Sequence, residues 1–243
     1  MRLTRSYVDH PLAAGTEVLL PEDVAGHLVR VLRLQAGDAC VLFNGDGHDY
    51  DARIVAAGKR EARAEILAAR PVVNESPLRI TLLQGIARGD KMDWILQKAT
   101  ELGVARILPV DSERSEVKLD AARAQKRLAH WREVVVSACE QSGRAVVPEV
   151  LAPQPLVQAA FLREGPGFLL DPQGAASLAT LAARAFDACT LAIGPEGGWS
   201  PRDCGQLQAA GYEGLRLGPR ILRTETAGIA AIAALQALRG DLG

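Results

Sequence analysis

Ile193-Gly194-Pro195-Glu196-Gly197-Gly198-Trp199-Ser200-Pro201 decides how this 243-residue chain is read. A short apolar stretch, Leu191 to Ile193, enters a turn that holds three glycines and a glutamate and ends in Ser-Pro. Ser200 suits a helix N-cap, Pro201 the first helical position, and Asp203 the positive end of the helix dipole. Strand, glycine-rich loop and helix in that order is the layout of a ligand site at the carboxyl end of a parallel strand. Glycines there remove side chains, so a ligand can approach the backbone amides. Glutamate at 196 breaks a GxGxxG dinucleotide fingerprint, and no Lys-Ser/Thr follows as in a phosphate-binding loop. A plain strand-to-helix turn needs one glycine, so the spacing favours a site.

Around this run, apolar strands alternate with helices. Leu78 to Gln84, Ala105 to Val110, Phe168 to Leu170, Leu191 to Ile193 and Gly214 to Leu217 read as buried strands. Lys91 to Leu102, ended by Gly103, and Asp120 to Ser142 read as helices. The alternation predicts an α/β fold with a mainly parallel sheet covered on both faces. Residues 1 to 70 differ: Thr16 to Leu20, Asp38 to Phe43 and Tyr50 to Ala56 read as strands and Glu22 to Leu32 as a helix, which predicts a small β-barrel. Asn44-Gly45 suits a hairpin turn, since both residues tolerate positive φ. Arg70 to Pro77, with proline near both ends, reads as a linker, so two domains are expected, 1–72 and 73–243.

Composition excludes several classes. Hydrophobic residues are 48% and charged residues 23%, ordinary for a chain that buries a core. The most apolar stretch, Ala227 to Leu235, is far too short to cross a bilayer. Asp9, His10 and Pro11 interrupt the N-terminus where a secretion signal needs an apolar run, so a soluble, cytoplasmic protein is expected. Cys40, Cys139, Cys189 and Cys204 form no CxxC pair and lie at no metal-ligand spacing from a histidine, so idle thiols and no metal are expected. Net charge is −1 overall, but residues 79 to 146 carry +3, a weak pointer to a polyanionic partner.

Two further segments stand out. Leu217-Gly218-Pro219-Arg220-Ile221-Leu222-Arg223-Thr224-Glu225-Thr226-Ala227 puts two arginines and a glutamate just before the final apolar helix, where packing gives no reason for them; Thr224 is a candidate cap of that helix. In Lys91-Met92-Asp93-Trp94-Ile95-Leu96-Gln97-Lys98-Ala99-Thr100-Glu101-Leu102-Gly103-Val104, Trp94, Ile95, Ala99 and Leu102 suit a core face, which leaves Lys91, Gln97, Lys98 and Glu101 polar.

Taken together, these runs resemble the ribosomal small-subunit RNA methyltransferase E family, a branch of the trefoil-knotted SPOUT methyltransferases. Ala138-Cys139-Glu140-Gln141 with Arg144 and Pro148 adds to the likeness, in family order and spacing. It extends to His27, Val31-Leu32-Arg33-Leu34, Gly37-Asp38 and Asn44-Gly45, which resemble that family's PUA-like RNA-binding domain. Trp199 departs from the pattern, standing where the family commonly has phenylalanine.

The resemblance implies a C-terminal knot, which periodicity does not reveal and general chain topology disfavours. It implies S-adenosylmethionine bound by Leu169, Leu170, Ile193, Gly194, Pro195, Glu196, Gly197, Gly198, Leu217, Gly218, Ile221, Leu222, Thr226 and Ala227. The implied reaction is methylation of uridine N3 in 16S rRNA of the small ribosomal subunit, by a homodimer. N3 carries a proton, so a base is needed, and it lies on the pairing edge, so the uridine must leave its stack. Glu225 and Glu101 are the candidate bases, with Arg223 to stabilise the uridine anion. Arg2, Arg5, Arg30, Arg33, Lys91, Arg144 and Arg220 are candidate RNA contacts. A sister reaction such as ribose 2′-O-methylation, or a non-catalytic assembly factor, would share much of the pattern.

Overall fold

The computed structural model describes residues 3–58 and 61–243. The chain divides into two compact units, Met1–Glu75 with Cys139–Val147, and Ser76–Ala138 with Pro148–Gly243. The first unit is thus made of two separate stretches of sequence.

In that unit β1 (Arg5–Tyr7), β2 (Glu17–Leu19), β3 (Ala39–Phe43), β4 (His48–Ala57) and β5 (Ala62–Pro71) form a sheet in the order β1-β3-β4-β5-β2. Only β1 and β3 run parallel. β5 is absent from the sequence reading because its Ala, Arg and Glu residues favour helix. Its pattern is nevertheless period two, with Ala62, Ala64 and Ile66 buried and Arg63 and Leu67 exposed. The β3–β4 connection turns on Gly45 and Gly47, both at positive φ, rather than on an Asn-Gly pair. The expected helix is also altered: α1 (Glu22–Ala25) widens into a π-helical stretch, Gly26–Val31. Leu28, Leu42, Ile54 and Ile66 centre the core of this unit.

Arg5 explains why Cys139–Val147 lies with these strands. Its guanidinium pairs with Asp49 at 2.6 Å and donates to the carbonyls of Cys139 at 2.8 Å and Arg144 at 3.2 Å. It also lies 4.5 Å from the centre of the Phe43 ring. The Glu140 carboxylate accepts the backbone N–H of Tyr7 at 2.9 Å, and Asn74 donates to the carbonyl of Gly143 at 2.9 Å.

The second unit holds β6 (Arg79–Gly85), α2 (Asp90–Glu101), β7 (Arg106–Asp111), α3 (Ala121–Ser142) as far as Ala138, β8 (Glu149–Val150), β9 (Gln154–Pro155) and α4 (Leu156–Ala159). There follow β10 (Gly167–Leu170), β11 (Ala176–Ser177), α5 (Leu178–Ala182), β12 (Ala188–Ile193), α6 (Pro201–Ala209), β13 (Tyr212–Arg216) and α7 (Thr224–Arg239). Helix α3 begins here, where the Asp120 carboxylate accepts the Arg123 N–H at 2.8 Å. The sheet runs β11-β13-β10-β12-β6-β7-β8, with β9 also on β7, and every pairing is parallel. Leu83, Leu108, Leu169 and Ala192 pack with Leu156 of α4 and Leu207 of α6. α2, α5 and α7 pack together, with α7 also against β12, so helices cover both faces as expected. Gln236 of α7 donates to the carbonyl of Leu102 at 2.9 Å and accepts from Ser76 at 2.6 Å. Among the described residues no helix is long and apolar enough to cross a membrane.

Two substitutions separate the units energetically. Arg5→Ala leaves the half-buried Asp49 carboxylate and the buried carbonyls of Cys139 and Arg144 without their donor and should cost about 3 kcal/mol in urea unfolding, with Arg5→Lys a poor rescue because it lacks the planar fork. Gly85→Ala puts a Cβ 2.5 Å from Pro195 Cδ and 2.6 Å from its nitrogen, and should cost about 1–3 kcal/mol in the same assay.

Candidate active site

Because the sheet is parallel, the loops after β6, β7, β10, β12 and β13 open at one edge, the carboxyl ends of the strands. With the first turn of α7 they enclose a cavity of about 700 Å³, within the range of small-molecule sites. Leu169, Ile193, Leu215 and Leu217 supply apolar wall, and Asp171, Glu196 and Glu225 supply carboxylates. Arg88, Lys91, Arg114, Arg220 and Arg223 make the charge around it net positive.

The glycine run forms a closed turn in which the Gly198 N–H donates to the carbonyl of Pro195 at 2.8 Å. A Cβ at Gly194 would stand 3.0 Å from the Gly198 backbone, so the turn is too tight for a side chain there. Gly198 itself sits at φ +66° and Gly218 at φ +138°, with open space beside both. Arg114 clasps the turn from the β7 loop, donating to the carbonyls of Gly197 at 3.0 Å and Trp199 at 3.2 Å. Ser200 and Asp203 cap α6 reciprocally, with Pro201 in its first turn, as read from the sequence. The Ser200 hydroxyl also donates to Glu113 at 2.5 Å.

Glu196 closes the turn against the β6–α2 loop. Its carboxylate accepts the Arg88 N–H at 3.1 Å and lies 3.3 Å from the Lys91 ammonium. Burial alone would raise its pKa, but these donors and the charge of Lys91 outweigh burial and hold the carboxyl below the ordinary range. Lys91 is therefore tied to the turn.

At α7 the N-cap position is Arg223, which makes no side-chain cap. Thr224 is the first helical residue, and its hydroxyl donates to the carbonyl of Gly194 at 2.6 Å instead of capping the helix. One oxygen of Glu225, Oε2, is buried with no hydrogen-bond partner among the described residues. Arg220 and Arg223 line the cavity and have no ion-pair partner among the described residues. Ile221, also at the cavity, is 85% exposed.

Thirteen of the fourteen residues that the resemblance assigns to the cofactor line this one cavity, the absent one being Thr226, which is exposed on α7. Glu225, Arg223, Arg220 and Lys91 line it too. Glu101 does not; it faces Lys98, whose ammonium lies 2.8 Å from its carboxylate. Arg144 and Arg5 are buried, the former held by Glu75 and the latter by Asp49, so neither guanidinium is open to a phosphate. Arg30 and Arg33 are exposed in the first unit, and Arg2 lies outside the described residues. Arg88, Arg114 and Gln84 escaped sequence reading, since a lone polar residue beside a strand end carries no local signature.

A cavity of this kind can take a small molecule on backbone and apolar walls while an unpaired carboxylate oxygen and two unpaired arginines face a second reactant. An RNA methyltransferase domain model matches residues 74–236, and an RNA methyltransferase PUA domain model matches residues 20–67. The ribosomal RNA small subunit methyltransferase E of Buchnera aphidicola is 32% identical, covering 99% of this chain and 98% of that protein. The crystal structure of the Neisseria gonorrhoeae ribosomal RNA small subunit methyltransferase E bound to S-adenosylmethionine is 43% identical, with 100% of both chains covered and a TM-score of 0.94. A Legionella pneumophila methyltransferase in complex with the same cofactor is 36% identical, with 100% of both chains covered and a TM-score of 0.93. The chain belongs to the ribosomal RNA small subunit methyltransferase E family, with a PUA domain at its N-terminus.

Proposed function

We propose that this protein methylates N3 of a uridine in 16S rRNA of the small ribosomal subunit, with S-adenosylmethionine as methyl donor. The observation that carries the reading is the meeting, in one cavity, of glycine-rich cofactor-type loops with an unpaired Glu225 oxygen and the unpaired Arg220 and Arg223. The residues fit the cofactor: the open space beside Gly198 and Gly218 leaves the backbone approachable, Leu169, Ile193 and Leu217 offer apolar contact to an adenine, and the carboxylates suit a cationic sulfonium. When bound, S-adenosylmethionine supplies a methyl group already activated on sulfur, and a neutral thioether is left behind.

The protein's part is then to orient both reactants and to move one proton. Glu225 accepts the N3 proton, so that the nitrogen lone pair is free to form the new carbon–nitrogen bond. Arg223 and Arg220 offset the negative charge that develops on the uridine ring as that proton leaves. Glu101, bound to Lys98 and away from the cavity, is not assigned this role. The exposed Arg30 and Arg33 of the PUA domain take RNA phosphates.

The proposal also includes a knot, a homodimer and a cytoplasmic location. Gel filtration should give twice the 25.9 kDa chain mass.

With labelled S-adenosylmethionine and small subunits lacking their native methylations, nucleoside mass spectrometry should find the label in N3-methyluridine. Label on a ribose would overturn the N3 assignment, and bound cofactor without label would overturn the transfer. Glu225→Gln should lower kcat by about 10²–10⁴ with cofactor affinity little changed. Arg30→Ala with Arg33→Ala should raise the KM for RNA and flatten its salt dependence, with kcat kept.

A further inference from the structure

We infer that Thr224 and Gln84 are positioning residues of the methyl-transfer site, joining its two halves through one hydroxyl group; the inference rests on the proposed function. Thr224 Oγ1 donates to the carbonyl of Gly194 at 2.6 Å and accepts from Gln84 Nε2 at 3.1 Å. Gln84 Nε2 also donates to the carbonyl of Gly85 at 2.9 Å. Gln84 is 0% exposed and Thr224 6%, so no water competes freely for these bonds.

A hydroxyl has one proton to give, and here it goes to Gly194. The order of donors is therefore set: Gln84 amide, Thr224 hydroxyl, Gly194 carbonyl. The chain of bonds starts at the end of β6, crosses the first residue of α7 and ends on the first residue of the turn that follows β12. Fixing the Gly194 carbonyl fixes the peptide plane that leads into Pro195 and the glycine turn. Fixing Thr224 fixes its sequence neighbours, Arg223 and Glu225. Thr224 stands one position past the N-cap, Arg223, so the helix itself makes no use of its hydroxyl. One turn further on, the Cβ position of Gly228 lies 3.7 Å from Ile193 and 3.8 Å from Gln84 Oε1, so α7 has a close seat on the same two strands.

The test compares Thr224→Val, which keeps shape and loses the hydroxyl, with Thr224→Ser, which keeps the hydroxyl. Three readouts apply: S-adenosylmethionine Kd by calorimetry, kcat and KM on small subunits, and hydrogen exchange of the 194–200 turn in cofactor-free protein. Thr224→Val should weaken cofactor binding about tenfold and lower kcat by about tenfold to a hundredfold, with the RNA KM held and the turn exchanging faster. Thr224→Ser should restore all three. Gln84→Met, which keeps the hydroxyl and removes its donor, should shift them in the same direction by less, and it stands as the test if Thr224→Val does not fold. The inference fails if the valine variant loses melting temperature while Kd, kcat and exchange hold, or if serine rescues no better than valine. Wild-type protein that bound no S-adenosylmethionine would overturn the proposed function and this inference with it.

Discussion

The arrangement of the C-terminal unit depends on one close approach, that of Gly85 to Pro195. β6 and β12 are neighbours in the centre of the sheet, and the chain leaving β12 turns back directly across the last residue of β6. Any side chain at 85 would occupy the space that the proline ring fills. With that space shared, the glycine turn lies against the strand ends, Gln84 reaches Thr224, and α7 begins beside the cavity rather than away from it. Close packing of this kind transmits small shifts, because protein interiors have few voids to absorb them.

Electrostatics sorts the arginines into two classes. Arg5 and Arg144 are buried and each is matched by a carboxylate and, for Arg5, by backbone carbonyls, so their charge is spent on joining Cys139–Val147 to the N-terminal strands. Arg114 is exposed but engaged with carbonyls of the glycine turn. Arg220 and Arg223 at the cavity, and Arg30 and Arg33 on the PUA domain, are exposed cations with no carboxylate bound among the described residues. Exposed unpaired guanidinium groups cost little to bring to a phosphate or an anionic base, whereas a buried paired one would first have to strand its partner.

Three of the cysteines, Cys40, Cys139 and Cys189, illustrate the opposite case, groups that burial makes inert. Desolvation pushes the Cys40 thiol to about 11 and the Cys139 and Cys189 thiols to about 12, so the thiolate is scarce at neutral pH.

Local chemistry was legible in the sequence wherever neighbours along the chain determine it. The Ser200-Pro201-Asp203 start of α6, the strand before Gly194, the span of α3 and the alternation that makes the sheet parallel all depend on residues within a few positions of one another. Most of the cavity lining came from the glycine run itself or from resemblance to a family, whereas Arg88 and Arg114 carried no local signal. What only the tertiary structure decided are relations between distant residues: that Arg5 meets Asp49 and the carbonyls of 139 and 144, that Glu196 meets Lys91 and Arg88, and that Thr224 reaches Gly194 and Gln84. A helix propensity or a cap preference is worth about 1 kcal/mol and is set by the local chain, whereas a buried partner is chosen by which strands become neighbours. That choice is made by the whole core at once, so no local stretch of sequence records it.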